Sequence, residues 1–331
     1  MSVPPLAAPT GHSGSQSTAE GAGSRLGLLS GASAYVLWGV TPGFWILLEQ
    51  SGAVEVLAHR LAWTLILMIG VSLVLGRLSA LRGLGLRAWT MISVASVLIA
   101  TNWGVYIFAV HTERVIEVSL GYYINPLLSV LLGVLVLRER LRPPQWIALG
   151  VAVVAVVIVT VDYGRVPVIA LVVAGSFAVY GLLKKTVPLD SLNSLTAESL
   201  VLAPVAIGYL GWLQVTGAAT FVTEGAWYSF LLFLAGPMTA LPLLLFGFAA
   251  RRIPLTVMGM LQYLAPTLQL LWAVLIAGEP MPASRWFGFA LVWVALAIFT
   301  VDAVHRARRA GRAAGVEQRR QAATVVEPDR L

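Results

Sequence analysis

The chain is divided into runs of about twenty apolar residues, separated by short links that hold most of its charge. Ten runs can be marked, at 26–48, 55–76, 88–110, 115–137, 143–161, 166–183, 195–216, 225–249, 254–277 and 284–302. An α-helix rises about 1.5 Å per residue, so about 20 apolar residues match a hydrocarbon core about 30 Å thick. Only 11% of the residues are charged, against roughly 25% in a soluble domain. That is too little charge to cover a wettable globule. The runs predict an all-α integral membrane protein of ten transmembrane helices.

The basic residues orient it. Numbering the links alternately, the side of the N-terminus holds eighteen of the 22 Lys and Arg residues, ending with seven arginines beyond residue 302. The other side holds Arg114, Arg165 and Arg285, and Arg60 alone lies inside a run. Lys and Arg collect on the cytoplasmic side. Both termini are therefore expected in the cytoplasm, with the body in the inner or plasma membrane. The net charge of +7 follows from this bias and points to contact with the lipid bilayer, not with nucleic acid. Residues 1–25, rich in Gly, Ser, Pro and Ala, read as a disordered cytoplasmic tail, and 303–331 as a basic cytoplasmic tail.

The chain also repeats itself. Trp146 to Asp162 ends Thr160-Val161-Asp162, and Trp286 to Asp302 ends Thr300-Val301-Asp302, at a shift of 140. At that shift Tyr123 meets Tyr263, Pro126 meets Pro266 and Glu139 meets Glu279; Trp38-Gly39 meets Tyr180-Gly181 at 142, and Glu55 meets Glu198 at 143. An almost constant offset across several helices indicates duplication. Two units follow, 26–162 and 163–302, each of five helices. Five is odd, so the second unit enters the membrane upside down. Inverted repeats are a transporter architecture, with the solute site near mid-bilayer where the halves meet.

Several runs carry a resemblance. Tyr35, Trp38-Gly39 and Pro42 stand in the first span, and Ala58-His59-Arg60 with Trp63 in the second. Asn102-Trp103 lies in the third, and the fourth holds Glu117-x-Ser119-Leu120-Gly121-Tyr122-Tyr123-Ile124-Asn125-Pro126-Leu127. Gln262-Tyr263, Pro266-Thr267 and Trp293 to Phe299 extend the set into the second half. Over residues 26–302 the chain resembles the RarD family of EamA-type permeases, in the drug/metabolite transporter superfamily. The resemblance implies an inner-membrane permease or exporter of small molecules, chloramphenicol-like ones among them.

Ionisable groups inside a bilayer cost about 2.5–3.5 kcal/mol each at a helix centre on insertion scales, so each needs a reason. Glu55, His59 and Arg60 open the second span from the outer side. Glu55 and His59, four apart, share a helical face and could form a proton-responsive gate; an interfacial pair with Arg60 as a snorkelling anchor is the plainer alternative. Glu198, the mate of Glu55, opens the seventh span from the cytoplasmic side. One carboxylate near each mouth suits alternating access, and a helix N-terminal carboxylate favoured by the dipole is the competing account. Glu117 begins the fourth span, again on the outer side, and joins Glu55, His59, Arg60 and Glu198 as a gating or proton-coupling candidate. Eight residues on, Asn125 precedes Pro126, which frees a backbone carbonyl at membrane depth. Tyr122, Tyr123 and Asn125 therefore read as a substrate-facing kink, or as a kink used only in packing.

Trp38, Asn102, Trp103, Tyr106, Ser176, Tyr180, Gln262 and Tyr263 fall near the same depth on other spans. Together they predict an aromatic, hydrogen-bonding cavity without a fixed central charge, suited to neutral or zwitterionic organic molecules. Gly27, Gly31, Gly39 and Gly43 recur at multiples of four and predict close helix packing.

No cysteine is present and no GxxxxGK[ST] loop occurs, so thiolate chemistry and direct use of ATP within the chain are excluded. No paired acid residues, histidine cluster or GxSxG supports an enzyme, and no cofactor is expected. The reading is a secondary transporter of a small organic solute; an amino-acid or metabolite uptake permease and a non-transporting membrane scaffold or sensor are the alternatives. A homodimer is left open.

Overall fold

The computed structural model describes residues 13–111, 115–163, 166–276, 286–288, 290–291, 293–302 and 305. Every regular element among them is helical. The main helices are α1 (Ser13–Val40), α2 (Ala53–Val74), α3 (Leu86–His111), α4 (Val115–Leu135), α5 (Pro143–Tyr163), α6 (Val168–Thr186), α7 (Ser191–Thr216), α8 (Ala226–Ala250), α9 (Leu255–Leu261) and α10 (Leu264–Leu275). A last apolar stretch, α11, covers Trp286–Asp302. Five segments, Ala53–Val74, Leu86–Tyr106, Val168–Thr186, Ser191–Thr216 and Ala226–Ala250, are long and apolar enough to cross a bilayer on their described residues. The chain is a multi-pass membrane protein.

Local chemistry sets several boundaries. Pro42 stops α1, because proline has no N–H and disfavours helical backbone in the residue before it; the Thr41 hydroxyl then donates to the Trp38 carbonyl at 2.8 Å. The α7 start is capped by Asp190, whose side chain accepts from Asn193 N at 2.9 Å. Gly217, at φ 73°, closes its end in the left-handed conformation that glycine tolerates.

Two expectations change, and one feature is new. The chain is already helical from Ser13, where a disordered tail was expected to residue 25; once a helix is nucleated, each further residue adds a hydrogen bond for one residue fixed. The kink expected at Asn125–Pro126 does not divide α4, which runs on through Pro126. The break falls instead in the ninth span, at Gln262–Tyr263 between α9 and α10. Pro266 lacks the N–H that would bond the Gln262 carbonyl four residues earlier.

The packing is dominated by contacts between distant segments. α2 packs on α7 and α8, α3 on α6 and α7, α4 on α6 and α9, and α1 on α8 and α10. Small residues permit the closest of these approaches. A Cβ on Gly39 would lie 2.6 Å from Leu268 Cβ, and one on Gly43 2.6 Å from the Trp272 ring. On Gly236 it would lie 2.5 Å from Trp63 Cβ. The predicted glycine stripe of α1 is thus a packing face.

Candidate functional site

The main buried core lies where α1, α6, α8 and α9 meet, and its centre is aromatic. Tyr35 and Trp38 of α1, Phe177 and Tyr180 of α6 and Phe246 of α8 form a continuous stack, with neighbouring ring centroids 5.4–6.3 Å apart. Offset and tilted contacts at such spacings are the favourable ones for aromatic rings.

Against this stack lies a cavity of about 630 Å³, within the range of small-molecule sites. Its lining comes from α1, α2, α3, α4, α6, α8, α10 and the α9–α10 break. It extends to Ile46 and Glu49 of the α1–α2 link, both exposed. Of the residues expected at the solute site, Trp38, Asn102, Trp103, Tyr106, Tyr122, Asn125 and Gln262 line it, and so does Arg60.

The other four stand behind its wall. Tyr180 is fully buried and its hydroxyl donates to Glu198 Oε2 at 3.1 Å. Tyr263, equally buried, donates to the Tyr123 carbonyl at 3.3 Å. Ser176 accepts from Asn102 Nδ2 at 3.2 Å, and Asn102 also donates to the Val173 carbonyl at 2.7 Å. These bonds fix the walls; the cavity surface belongs to their neighbours.

Arg60 changes the electrostatic expectation. Its Cζ lies over two indoles, Trp45 and Trp103, each ring centroid 4.5 Å away. Its Nε donates to Thr239 Oγ1 at 2.9 Å, and that hydroxyl in turn donates to the Ala235 carbonyl at 2.7 Å. No carboxylate among the described residues pairs with Arg60. The cavity therefore holds a positive charge at Arg60, with the Glu49 carboxylate at its exposed end, where no fixed central charge was expected. Arg60 was expected in an outer gate, or as an interfacial anchor, because it follows Glu55 and His59 near a span end. The fold turns it inward, onto Trp45 and Trp103.

The four other ionisable residues proposed for gating are engaged elsewhere. Glu55 Oε1 accepts from Thr220 N at 2.7 Å, tying α2 to the α7–α8 link. Glu117 Oε1 accepts from Ile169 N at 2.8 Å, at the start of α6. His59 is buried with its ring 5.1 Å from Phe221, and neither of its nitrogens has a hydrogen-bond partner among the described residues. Glu198 forms a buried ion pair with Lys184 at 2.7 Å and also accepts from Ser194 Oγ at 2.8 Å. Lys184 had read as a topology charge in a link; α6 extends far enough to bury it.

Residues missed by the sequence include Trp45, Glu49, Phe177 and Gln269, all in the lining. Two had a signal. Phe177 stands 142 residues after Tyr35, at the offset that relates Trp38 to Tyr180, and Gln269 lies two helical turns after Gln262, on one face. Its Nε2 donates to the Trp38 carbonyl at 3.2 Å.

With this geometry in place, known proteins can be compared. The EamA-like transporter family matches residues 25–161. Protein RarD of Streptomyces exfoliatus is 49% identical over 287 residues, covering 86% of this chain and 91% of that protein. The chain belongs to the RarD family. The uncharacterized transporter YojE of Bacillus subtilis is 43% identical over 289 residues, 85% of this chain and 95% of that one. One crystal structure superposes with a TM-score of 0.64 at 18% identity, over 83% of this chain and 97% of that chain, which shows a shared fold. Transporter names among RarD relatives agree with a membrane transporter and not an enzyme.

Proposed function

We propose that the chain is a secondary transporter that carries a small organic solute across the inner membrane by alternating access, with ten spans in two inverted units, 26–162 and 163–302. The observation that carries this reading is the cavity, lined from both units and bordered by the broken helix between α9 and α10. Interrupted helices at membrane depth accompany solute sites, because free backbone groups there need a polar space or protein partners.

The packing supports the duplication. Let α1 exchange with α6, α2 with α7, α3 with α8, and α4 with α9 and α10 together. Then α3 on α6 becomes α8 on α1, α4 on α6 becomes α10 on α1, and α2 on α8 becomes α7 on α3; all of these contacts occur. The α2–α7 and α4–α9 contacts map onto themselves. With the bias of basic residues placing both tails in the cytoplasm, the α1–α2 link faces outward. The cavity is then open to the outside and closed inward by the Tyr35, Trp38, Phe177, Tyr180 and Phe246 stack. The Glu139 carboxylate, accepting from Leu255 N at 2.7 Å and Thr256 N at 2.9 Å, clasps the cytoplasmic end.

Two experiments test this. Proteoliposomes should show saturable flux and counterflow of an organic solute from a metabolite and antibiotic panel; no protein-dependent flux of any member would end the transport reading. The chain has no cysteine, so Glu49→Cys and Arg140→Cys report single positions. An impermeant maleimide applied to intact cells should label the first and spare the second, and the reverse would invert the orientation.

A further inference from the structure

We infer that Arg60 is the recognition element of the cavity and that the solute is an organic anion, a carboxylate on an aromatic body. This rests on the transport reading for the site's purpose, but on separate observations for its chemistry.

The first observation is the state of the guanidinium. Its Cζ lies over the indole rings of Trp45 and Trp103, 4.5 Å from each centroid, and Nε is committed to Thr239 at 2.9 Å. What remains is the outer edge, where the two terminal nitrogens present parallel N–H groups in the plane. That fork matches a carboxylate in a bidentate pair. Two ring contacts and the bond from Nε hold the guanidinium before a ligand arrives.

The second is the missing counter-charge. Among the described residues no carboxylate lies within pairing distance of Arg60, although the same protein neutralises Lys184 with Glu198 at 2.7 Å. An ion at membrane depth that lacks a protein partner faces a water-filled path or awaits a charge from a ligand. Cation–π contacts lower the cost of burying the guanidinium, but they leave its net charge in place. Arg60 lines the cavity, so a solute anion there completes the pair.

The third is the rest of the lining. Trp38, Trp45, Trp103, Tyr106, Tyr122 and Phe177 give the cavity flat apolar walls. One class of molecule fits both these walls and the missing charge: an aromatic body that carries a carboxylate for Arg60.

Hippurate has those parts, and hippuramide is the same molecule with the charge removed. Binding is measured on the full chain in detergent micelles by titration calorimetry and thermal unfolding. Hippurate should bind saturably and raise the unfolding temperature, with hippuramide at least tenfold weaker. Arg60→Lys keeps the charge but loses the fork and should weaken hippurate at least tenfold. Arg60→Gln should bind both compounds equally and poorly. Equal binding of the two compounds to the unaltered chain, no saturable hippurate binding, or stabilisation by chloride alone at the same concentration would each overturn the proposal. The wild-type comparison decides even if a variant misfolds. Arg60-dependent binding without flux in proteoliposomes would remove the transport reading and leave this one. Flux of neutral solutes with no preference for anions would do the opposite.

Discussion

Two cations of the apolar helices, the buried Lys184 and the half-buried Arg60, show how the same physics serves different ends. Lys184 is 1% exposed and closed on all sides: Glu198 at 2.7 Å, Ser194 at 2.9 Å and the Tyr180 ring nearby. Arg60 lines a cavity, has aromatic faces around it and one hydroxyl on Nε, and meets no anion from the protein among the described residues. The first charge is spent within the fold. The second is left over, and a charge left over at this depth marks a place where something else is meant to bind.

Removing one member of each set is the sharpest way to break that contrast. Lys184→Met strands the Glu198 carboxylate and should cost about 3–5 kcal/mol, read as lowered thermal stability in detergent; pairing it with Glu198→Leu should recover most of the loss. A harmless Lys184→Met would erase the distinction. Gly236→Ala forces a Cβ to within 2.5 Å of Trp63 Cβ and should cost about 1–3 kcal/mol. Because Gly236 precedes Thr239 by one turn, this variant should also part Arg60 from its hydroxyl, and weaker solute binding would show it. Glu139→Gln turns an amide N–H toward one of the two backbone donors and parts the ion pair with Lys185 at 3.5 Å, and should cost about 1–2 kcal/mol; unchanged stability would mean the clasp contributes nothing. The smallest effect is expected at the other pole of the comparison. Arg60→Gln should leave the unfolding temperature level or raise it, since no protein carboxylate loses a partner, and a drop as large as that of Lys184→Met would make Arg60 structural.

Much of the helical plan was legible because apolar length and turn chemistry are local. The helices α2 to α8 begin and end within a few residues of the marked runs, with Asp190 and Gly217 marking the ends of α7. Seven of the lining residues were legible from their depth and polarity. What sequence hid was direction and company. A kink was expected at Asn125–Pro126 and none at Gln262–Tyr263; α4 is held as one helix, packed against α6 and α9, while the ninth span is broken between α9 and α10. Arg60 and Lys184 are both basic residues near span ends. Only tertiary packing reveals that one meets a glutamate seated fourteen residues later and the other meets two tryptophans.

The bond from the Tyr263 hydroxyl to the Tyr123 carbonyl joins two residues related by the 140-residue shift. On the proposed two-unit symmetry, equivalent points touch only beside the axis that exchanges the units, where the displacement between them is smallest. In a rocking cycle this pair would be the still centre. Spin labels flanking residues 123 and 263 should then keep their separation, while labels at either rim drift apart and close.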